Sequence, residues 1–271
     1  MWLTISTGNK LQLDKYYTPL ELAKHCIYKT YEVMGGDSIS EVIEPSAGNG
    51  SFSLQMPSTC RAYDIKPEHE SIIEQDFLEL DADYLYGRLI IGNPPYGSRM
   101  NMAQKFFKKS IEISDYIAFI LPISQLNNTN SLYEFDLIHS EDLGLHTYTD
   151  RELHCCFNIY KRPENGEFNK KPKTRLKDIT IIRQDSKRYD EITEDIRMCY
   201  WGDGTAGKIL SDGESYSGEY KIIINNQDRH AEIKSFILDF DWNGYVKGIA
   251  MKRLKQYQII DVLQKNIKGI N

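Results

Sequence analysis

Short, unbroken apolar runs alternate with amphipathic stretches through the first 125 residues. EVIEPS (41–46), RAYDI (61–65), RLIIGNPP (88–95) and DYIAFILP (115–122) are rich in Ile, Val, Tyr and Phe and are predicted as strands. Their apolar character is continuous rather than alternating, the pattern of strands covered on both faces. Between them, the spacing predicts helices over Leu20–Gly35 and Met102–Ser114. In the second, Ala103, Phe106, Phe107, Ser110 and Ile111 recur at helical spacing, so one stripe faces a core. Strand and helix in alternation predict an α/β domain built on a parallel sheet.

Further on the rhythm changes. HCCFNIY (154–160) and DITIIRQ (178–184) read as two strands joined by a basic loop containing Pro and Gly. Beyond about residue 185 come RMCYW, a glycine-rich turn, KIIIN and helical segments at 231–238 and 251–267. This predicts a boundary near 185, with a larger domain at 1–184 and a small α+β domain at 185–271.

Composition adds limits. The 271 residues are 41% hydrophobic and 27% charged, a globular balance with room for one to two domains. No apolar run approaches the roughly 18 residues of a membrane span, and the N-terminus lacks a basic start followed by an apolar core. Five cysteines include the adjacent Cys155 and Cys156 but no CxxC spacing, which argues against both a disulfide framework and a zinc ribbon. The expectation is a cytoplasmic protein with neither a membrane partner nor a metal.

The net charge of −6 hides an asymmetry. Residues 1–157 hold 12 Lys+Arg against 22 Asp+Glu, a net of −10, whereas 158–271 hold 21 against 17, a net of +4. The basic excess concentrates in 158–190 and 247–268. Such asymmetry is the footprint of a polyanion partner or of two solvated lysine-rich faces, and charge alone leaves both open.

Candidate chemistry begins at Glu44-Pro45-Ser46-Ala47-Gly48-Asn49-Gly50, where the first parallel strand should end. Gly48 and Gly50 let the backbone turn tightly and approach a ligand, at the strand end where α/β sheets bind cofactors. Asp64 closes the next strand, placed to accept ribose hydroxyls. Asp76 and Phe77 follow, an acid and a ring suited to an adenine amine and its face. The loop has neither the Lys-Ser/Thr of a P-loop nor dinucleotide-loop spacing, so no phosphate grip is provided. An adenosine-containing cofactor without phosphate is S-adenosylmethionine.

Asn93-Pro94-Pro95-Tyr96 follows RLIIG directly. An exocyclic aromatic amine is a poor nucleophile because its lone pair is delocalised into the ring. The Asn93 side-chain oxygen and the Pro94 carbonyl could each accept one N–H, localising that lone pair for in-line attack on a sulfonium methyl. Pro94 and Pro95 stiffen the turn so that both acceptors are aimed in advance, and Tyr96 offers a face to an extruded base. A rigid strand-ending turn is the plain structural alternative.

EPSAGNG, Asp64, Asp76-Phe77 and NPPY together resemble the amino-methylating DNA methyltransferases, specifically the N6-adenine branch. Lys15-Tyr16-Tyr17-Thr18-Pro19 is similar to that family's N-terminal motif, whose Thr-Pro backs the methionine end of the cofactor. Cys155-Cys156-Phe157-Asn158-Ile159-Tyr160 is similar to the strand whose Phe meets the flipped adenine, a role that falls on Phe157. The motif order resembles the gamma arrangement, and the resemblance covers about residues 14–184. It implies a Rossmann-like methyltransferase fold, a mostly parallel seven-stranded sheet with one reversed strand that DITIIRQ could supply. It also implies Glu44 beside the methionine, Asp64 on the ribose, Asp76 on the adenine amine and Phe77 on its ring. Double-stranded DNA is then the partner, a cognate restriction enzyme fits the same family setting, and residues 185–271 take target recognition by analogy.

Three rival readings remain at the level of sequence: adenine-N6 methylation of RNA, glutamine methylation of a protein, and a catalytically silent DNA-binding partner. Weaker signals read as follows. Gly202 to Gly207 is a formal GxGxxG with no helix behind it, so a surface turn is expected. His154-Cys155-Cys156 lacks a second ligand pair of matching spacing. Ser98 and Arg99 could hold a phosphate beside an extruded base or be ordinary loop residues.

Overall fold

A computed structural model describes residues 2–5, 11–14, 16–35, 38–149, 151–187, 189–202, 204–247 and 253–271. Lys15 of the N-terminal motif and Asp203 of the glycine-rich turn lie outside the described residues. The chain divides into two compact units, Met1–Lys171 and Pro172–Asn271.

In the first unit, β1 (Trp2–Ile5) and β2 (Leu11–Asp14) form an antiparallel pair ahead of helix α1 (Leu20–Met34). Then follow β3 (Glu41–Glu44), β4 (Cys60–Asp64), β5 (Ile73–Glu74), β6 (Arg88–Gly92), α2 (Asn101–Ile113), β7 (Tyr116–Pro122), β8 (Asp136–Tyr148) and β9 (Arg151–Lys161). Seven strands make one sheet in the order β5-β4-β3-β6-β7-β9-β8. The first five run parallel, and β9 is antiparallel to both of its neighbours. This is the mostly parallel sheet with one reversed strand expected of a Rossmann-like methyltransferase fold.

The reversed strand, however, is Arg151–Lys161 and not DITIIRQ. β9 turns back from β8 as a long hairpin and slots between β7 and β8, with Ile120 opposite Phe157 and Tyr116 opposite Lys161. DITIIRQ supplies a strand of the second unit instead. A strand's sequence announces its existence, whereas its partner is fixed by long-range packing.

The two faces of the sheet separate by the parity of side chains along each strand. Ile43, Ile90, Ile117, Phe119 and Leu121 pack with Ala103, Phe106, Phe107 and Ile111 of α2. Val42, Leu89, Ile91, Ala118 and Ile120 pack with Leu22, Ala23 and Cys26 of α1. Every residue of β6 is buried, which explains why its sequence reads as an unbroken apolar run. Arg162 pins the far end of β9: its Nε donates to Asp115 Oδ1 at 3.0 Å and its Nη2 to the carbonyls of Ile111 and Ser114. This member of the basic 158–190 stretch is an internal fastener, with its guanidinium over the rings of Tyr84, Phe135 and Phe168.

The second unit carries β10 (Ile179–Arg183), β11 (Ile196–Cys199), β12 (Glu219–Ile224), α3 (His230–Asp239), α4 (Trp242–Lys247) and α5 (Gln256–Asn266). Its strands form an antiparallel sheet in the order β10-β12-β11. Ile196, Met198, Ile222, Ile224, Ile233, Ile237, Trp242, Ile259 and Leu263 share one core. Because β10 pairs with β12, the division falls at 171/172, ahead of the boundary expected near 185. The segment expected as a helix over 251–267 is helical from Gln256, and of the GxGxxG segment residues 204–207 form a turn. No helix among the described residues is long and apolar enough to cross a membrane.

Candidate active site

The carboxyl ends of β3, β4 and β6 open onto one cleft in the first unit. The cleft joins Asn93, Pro94, Pro95 and Tyr96 to Glu44, Ser46, Ala47, Gly48 and Asp64, with Tyr17 and Thr18 on the N-terminal side. An opening at parallel strand ends is where such sheets bind ligands, because successive strand-to-loop turns diverge there.

The glycine loop is held from several directions. Gly48 has φ +54°, and a Cβ there would sit 3.0 Å from the Tyr17 ring, so any side chain would strain the backbone and press on that ring. Gly48 N donates to Asp64 Oδ2 at 2.8 Å, and Lys66 N donates to Asp64 Oδ1 at 2.8 Å. The Tyr17 hydroxyl donates to Glu68 Oε1, which fixes the ring over the loop.

Glu44 is only 2% exposed, and its Oε2 accepts from Ser53 N at 2.8 Å. Burial pushes its carboxyl up to about 8, against the bonds from Ser53 and Phe52, and the Asp64 charge adds to the rise. A carboxyl raised this far favours its protonated form near pH 7, and a neighbouring cation would favour its ionised form.

Asn93 ends the turn with a defined amide. Its Nδ2 donates to Tyr16 O at 3.4 Å and to Thr18 Oγ1 at 3.3 Å. A carbonyl can only accept, so the NH2 side must face Tyr16, and Oδ1 is left as the accepting end. The Asn93 carbonyl is taken by Ser46 Oγ at 3.2 Å, tying the NPPY turn to the glycine loop. Tyr96 is half-buried with its hydroxyl 3.5 Å from Cys155 Sγ, and burial raises that phenol well above its ordinary range. Its carbonyl accepts from Met102 N and Ala103 N, anchoring the turn to the start of α2.

Several expected residues lie elsewhere. Phe77 is fully buried in the α2-side core, stacked on Phe106 with centroids 5.5 Å apart. Asp76 Oδ1 accepts from Leu78 N at 2.8 Å, capping a short 3-10 turn. Neither lines the cleft, because the chain after β5 dives under the sheet to bring Phe77 to the core. Phe157 is fully buried on the α1 side, between Ile120 and Glu141 in register, and does not line it either. Strand parity puts Cys155 on that same face, and Cys155 is the residue of β9 that meets Tyr96. Pro19 begins α1, while Pro45 and Gly50 shape their turns without lining the opening. Ser98 and Arg99 are exposed, with Arg99 at φ 53°.

Sequence reasoning missed the lining residues Asn49, Ser51, Phe52 and Lys66. Lys66 could have been found from its place two residues after Asp64. Tyr16 belongs to the N-terminal motif but was not singled out in it, and it acts through its carbonyl. Among the described residues no group of three or more His, Cys, Asp or Glu is placed to hold a metal ion.

No protein-family model matches the chain, and no curated protein does. Solved structures that it is similar to include a proposed RNA methyltransferase from Pyrococcus horikoshii, at 18% identity and TM-score 0.42, covering 59% of this chain and 93% of that one. A proposed class I S-adenosylmethionine-dependent methyltransferase from Listeria monocytogenes matches at 13% identity and TM-score 0.45, covering 61% and 66%. Magnesium protoporphyrin IX methyltransferase from Synechocystis PCC 6803, crystallised with S-adenosylmethionine, matches at 10% and TM-score 0.36, covering 52% and 79%.

Proposed function

We propose that this chain transfers the methyl group of S-adenosylmethionine to the N6 amine of adenine in double-stranded DNA, acting on a base extruded from the duplex. The observation that carries the reading is the fixed amide of Asn93, with its NH2 held by Tyr16 and Thr18 and its Oδ1 left as acceptor, in one cleft with the glycine loop and two strand-end carboxyls.

The residues of the cleft fit the cofactor. The Glu44 carboxyl, buried and raised, suits the cationic methionine portion, and Asp64 at the end of β4 suits ribose hydroxyls. Tyr17 and Thr18 back the opening on the other side. When bound, S-adenosylmethionine supplies an electrophilic methyl on a sulfonium sulfur. Asn93 Oδ1 and the Pro94 carbonyl then accept the two amine hydrogens, drawing the nitrogen lone pair out of conjugation. The Tyr96 ring provides a face for the base, its hydroxyl engaged with Cys155 rather than with a proton to be moved. The amine loses its proton after the new N–C bond forms, so no strong base is required of the protein.

Incubation with methyl-labelled cofactor and, separately, duplex DNA, RNA and bulk protein tests the substrate. Label recovered as N6-methyladenine in duplex DNA supports the reading. Label confined to RNA or to glutamine would transfer the same chemistry to a different substrate and overturn the DNA assignment. Absence of cofactor binding by calorimetry would favour a silent DNA-binding partner.

A further inference from the structure

The two basic stretches of the sequence are far apart along the chain, yet the second unit brings members of both to one surface. Arg175 and Arg183 come from the first stretch, Arg253 and Lys255 from the second, and all four line a groove beside Tyr220 and Tyr257. A neighbouring concavity shares Thr174, Arg175, Arg183 and Gln256 with it and has apolar lining that includes Ile181 and Ile260.

The segment that presents Arg253 and Lys255 is firmly held. Leu254 N donates to Tyr200 O at 2.9 Å, and the Tyr220 hydroxyl donates to Leu254 O at 3.1 Å. The Tyr200 and Tyr220 rings lie 4.5 Å apart, with the Arg253 guanidinium 5.4 Å from the Tyr200 centroid. Gln256 Nε2 donates to Ile181 O at 3.2 Å, so β10 and the start of α5 share one wall.

Asp185 is the carboxylate that acts on these cations: it pairs with Arg183, and its charge also reaches Arg253. Arg183 forms a two-pronged pair with the exposed Asp185. Arg175, Arg253 and Lys255 have no acidic group within ion-pair distance among the described residues. Lys255 is lowered from its ordinary value, first by burial and then by the neighbouring Arg253 charge. Held cations that repel one another gain most from an anion that spans them, and a chain of phosphates does so with one ligand.

We infer that the groove of Arg175, Arg183, Arg253 and Lys255 grips the phosphodiester backbone of duplex DNA. The groove lies outside the transfer cleft, and it depends on the proposed function only for the choice of DNA as polyanion. Guanidinium and ammonium groups on backbone phosphates fix register without reading bases, so the grip is independent of sequence.

The test uses the intact protein without cofactor and a fluorescent duplex, with anisotropy measured across a salt series. Arg175→Ala, Arg253→Gln and Lys255→Gln are each expected to weaken binding equally on unrelated sequences. Each should also reduce the slope of log affinity against log salt by roughly 0.9, the value for one lost phosphate contact. Lys268→Ala, in the same basic stretch but not lining the groove, is expected to leave both unchanged. Thermal unfolding of each variant identifies any that misfold, and Arg175→Ala, at an exposed position, carries the test if another does. Wild-type affinity and slope in the groove variants would overturn the proposal, as would tighter binding to duplex RNA than to DNA. Cofactor titration on the same samples keeps the two readings apart: a lost groove effect with intact cofactor binding refutes the groove alone.

Discussion

Thr18 Oγ1 lies 3.3 Å from Asn93 Nδ2, linking residues 75 positions apart across the mouth of the cleft. Thr18 is buried immediately before α1, and Asn93 follows β6, so helix and strand together determine which end of the amide faces a substrate. Thr18→Val keeps the volume and removes the hydroxyl. Its kcat is expected to fall between roughly twofold and tenfold, the range of one net hydrogen bond, with KM for DNA little changed. Thr18→Ser should restore the rate. Steady-state kinetics on the two variants checks this, and equal rates in Val and Ser would show that the hydroxyl does not set the amide.

Glu44 makes cofactor affinity depend on pH. Its carboxyl is raised to about 8 by burial, and a cationic ligand prefers the ionised form. Affinity should therefore increase as pH rises towards about 8 and level off above it, with a proton released on binding below that point. The stability sign is opposite: the folded protein holds a proton that the unfolded chain has lost, so this group's contribution falls as pH rises from about 4.5 to about 8. Glu44→Gln should flatten both profiles. Calorimetry in buffers of different ionisation enthalpy reads the proton directly, and an unchanged pH profile in Glu44→Gln would count against this role.

Gly48→Ala tests the cradle. The substitution places a side chain at φ +54° and drives it against the Tyr17 ring. The backbone strain alone is about 1–2 kcal/mol, and moving Tyr17 also disturbs its bond to Glu68. Cofactor affinity is expected to fall at least tenfold with a measurable drop in Tm. Normal affinity in equilibrium dialysis would show that the loop does not meet the ligand.

Arg162 separates structural from phosphate-binding cations. Arg162→Ala leaves Asp115 buried without its guanidinium partner and frees the carbonyls of Ile111 and Ser114. The expected cost is about 3–5 kcal/mol in denaturant unfolding. The salt slope of DNA binding, measured where the variant remains folded, should not change.

The sequence made the parallel core of the sheet legible because β3, β6 and β7 are covered on both faces and show it as unbroken Ile, Val and Leu. It also brought Glu44, Gly48, Asp64 and Asn93 to one opening, since strand-end positions in a parallel sheet converge by topology. Pairing was harder to read. DITIIRQ has the composition of a strand, but whether it joins Asn158 or Tyr220 depends on contacts far along the chain. Phe157 was misplaced along the strand and not across it: it shares a face of the sheet with Cys155, two positions away, and it is Cys155 whose place on β9 reaches Tyr96. Phe77 shows the remaining difficulty, because an aromatic beside an acid has the same sequence whether it stacks on a ligand or on Phe106.

The most direct test of the central claim is single-turnover transfer of labelled methyl to duplex DNA by wild-type protein and Asn93→Ala, with the product base identified after digestion. The account predicts N6-methyladenine from the wild type and a rate lower by roughly a hundredfold or more in Asn93→Ala, with cofactor affinity nearly unchanged. Methylation of adenine at a near-normal rate by Asn93→Ala would contradict it.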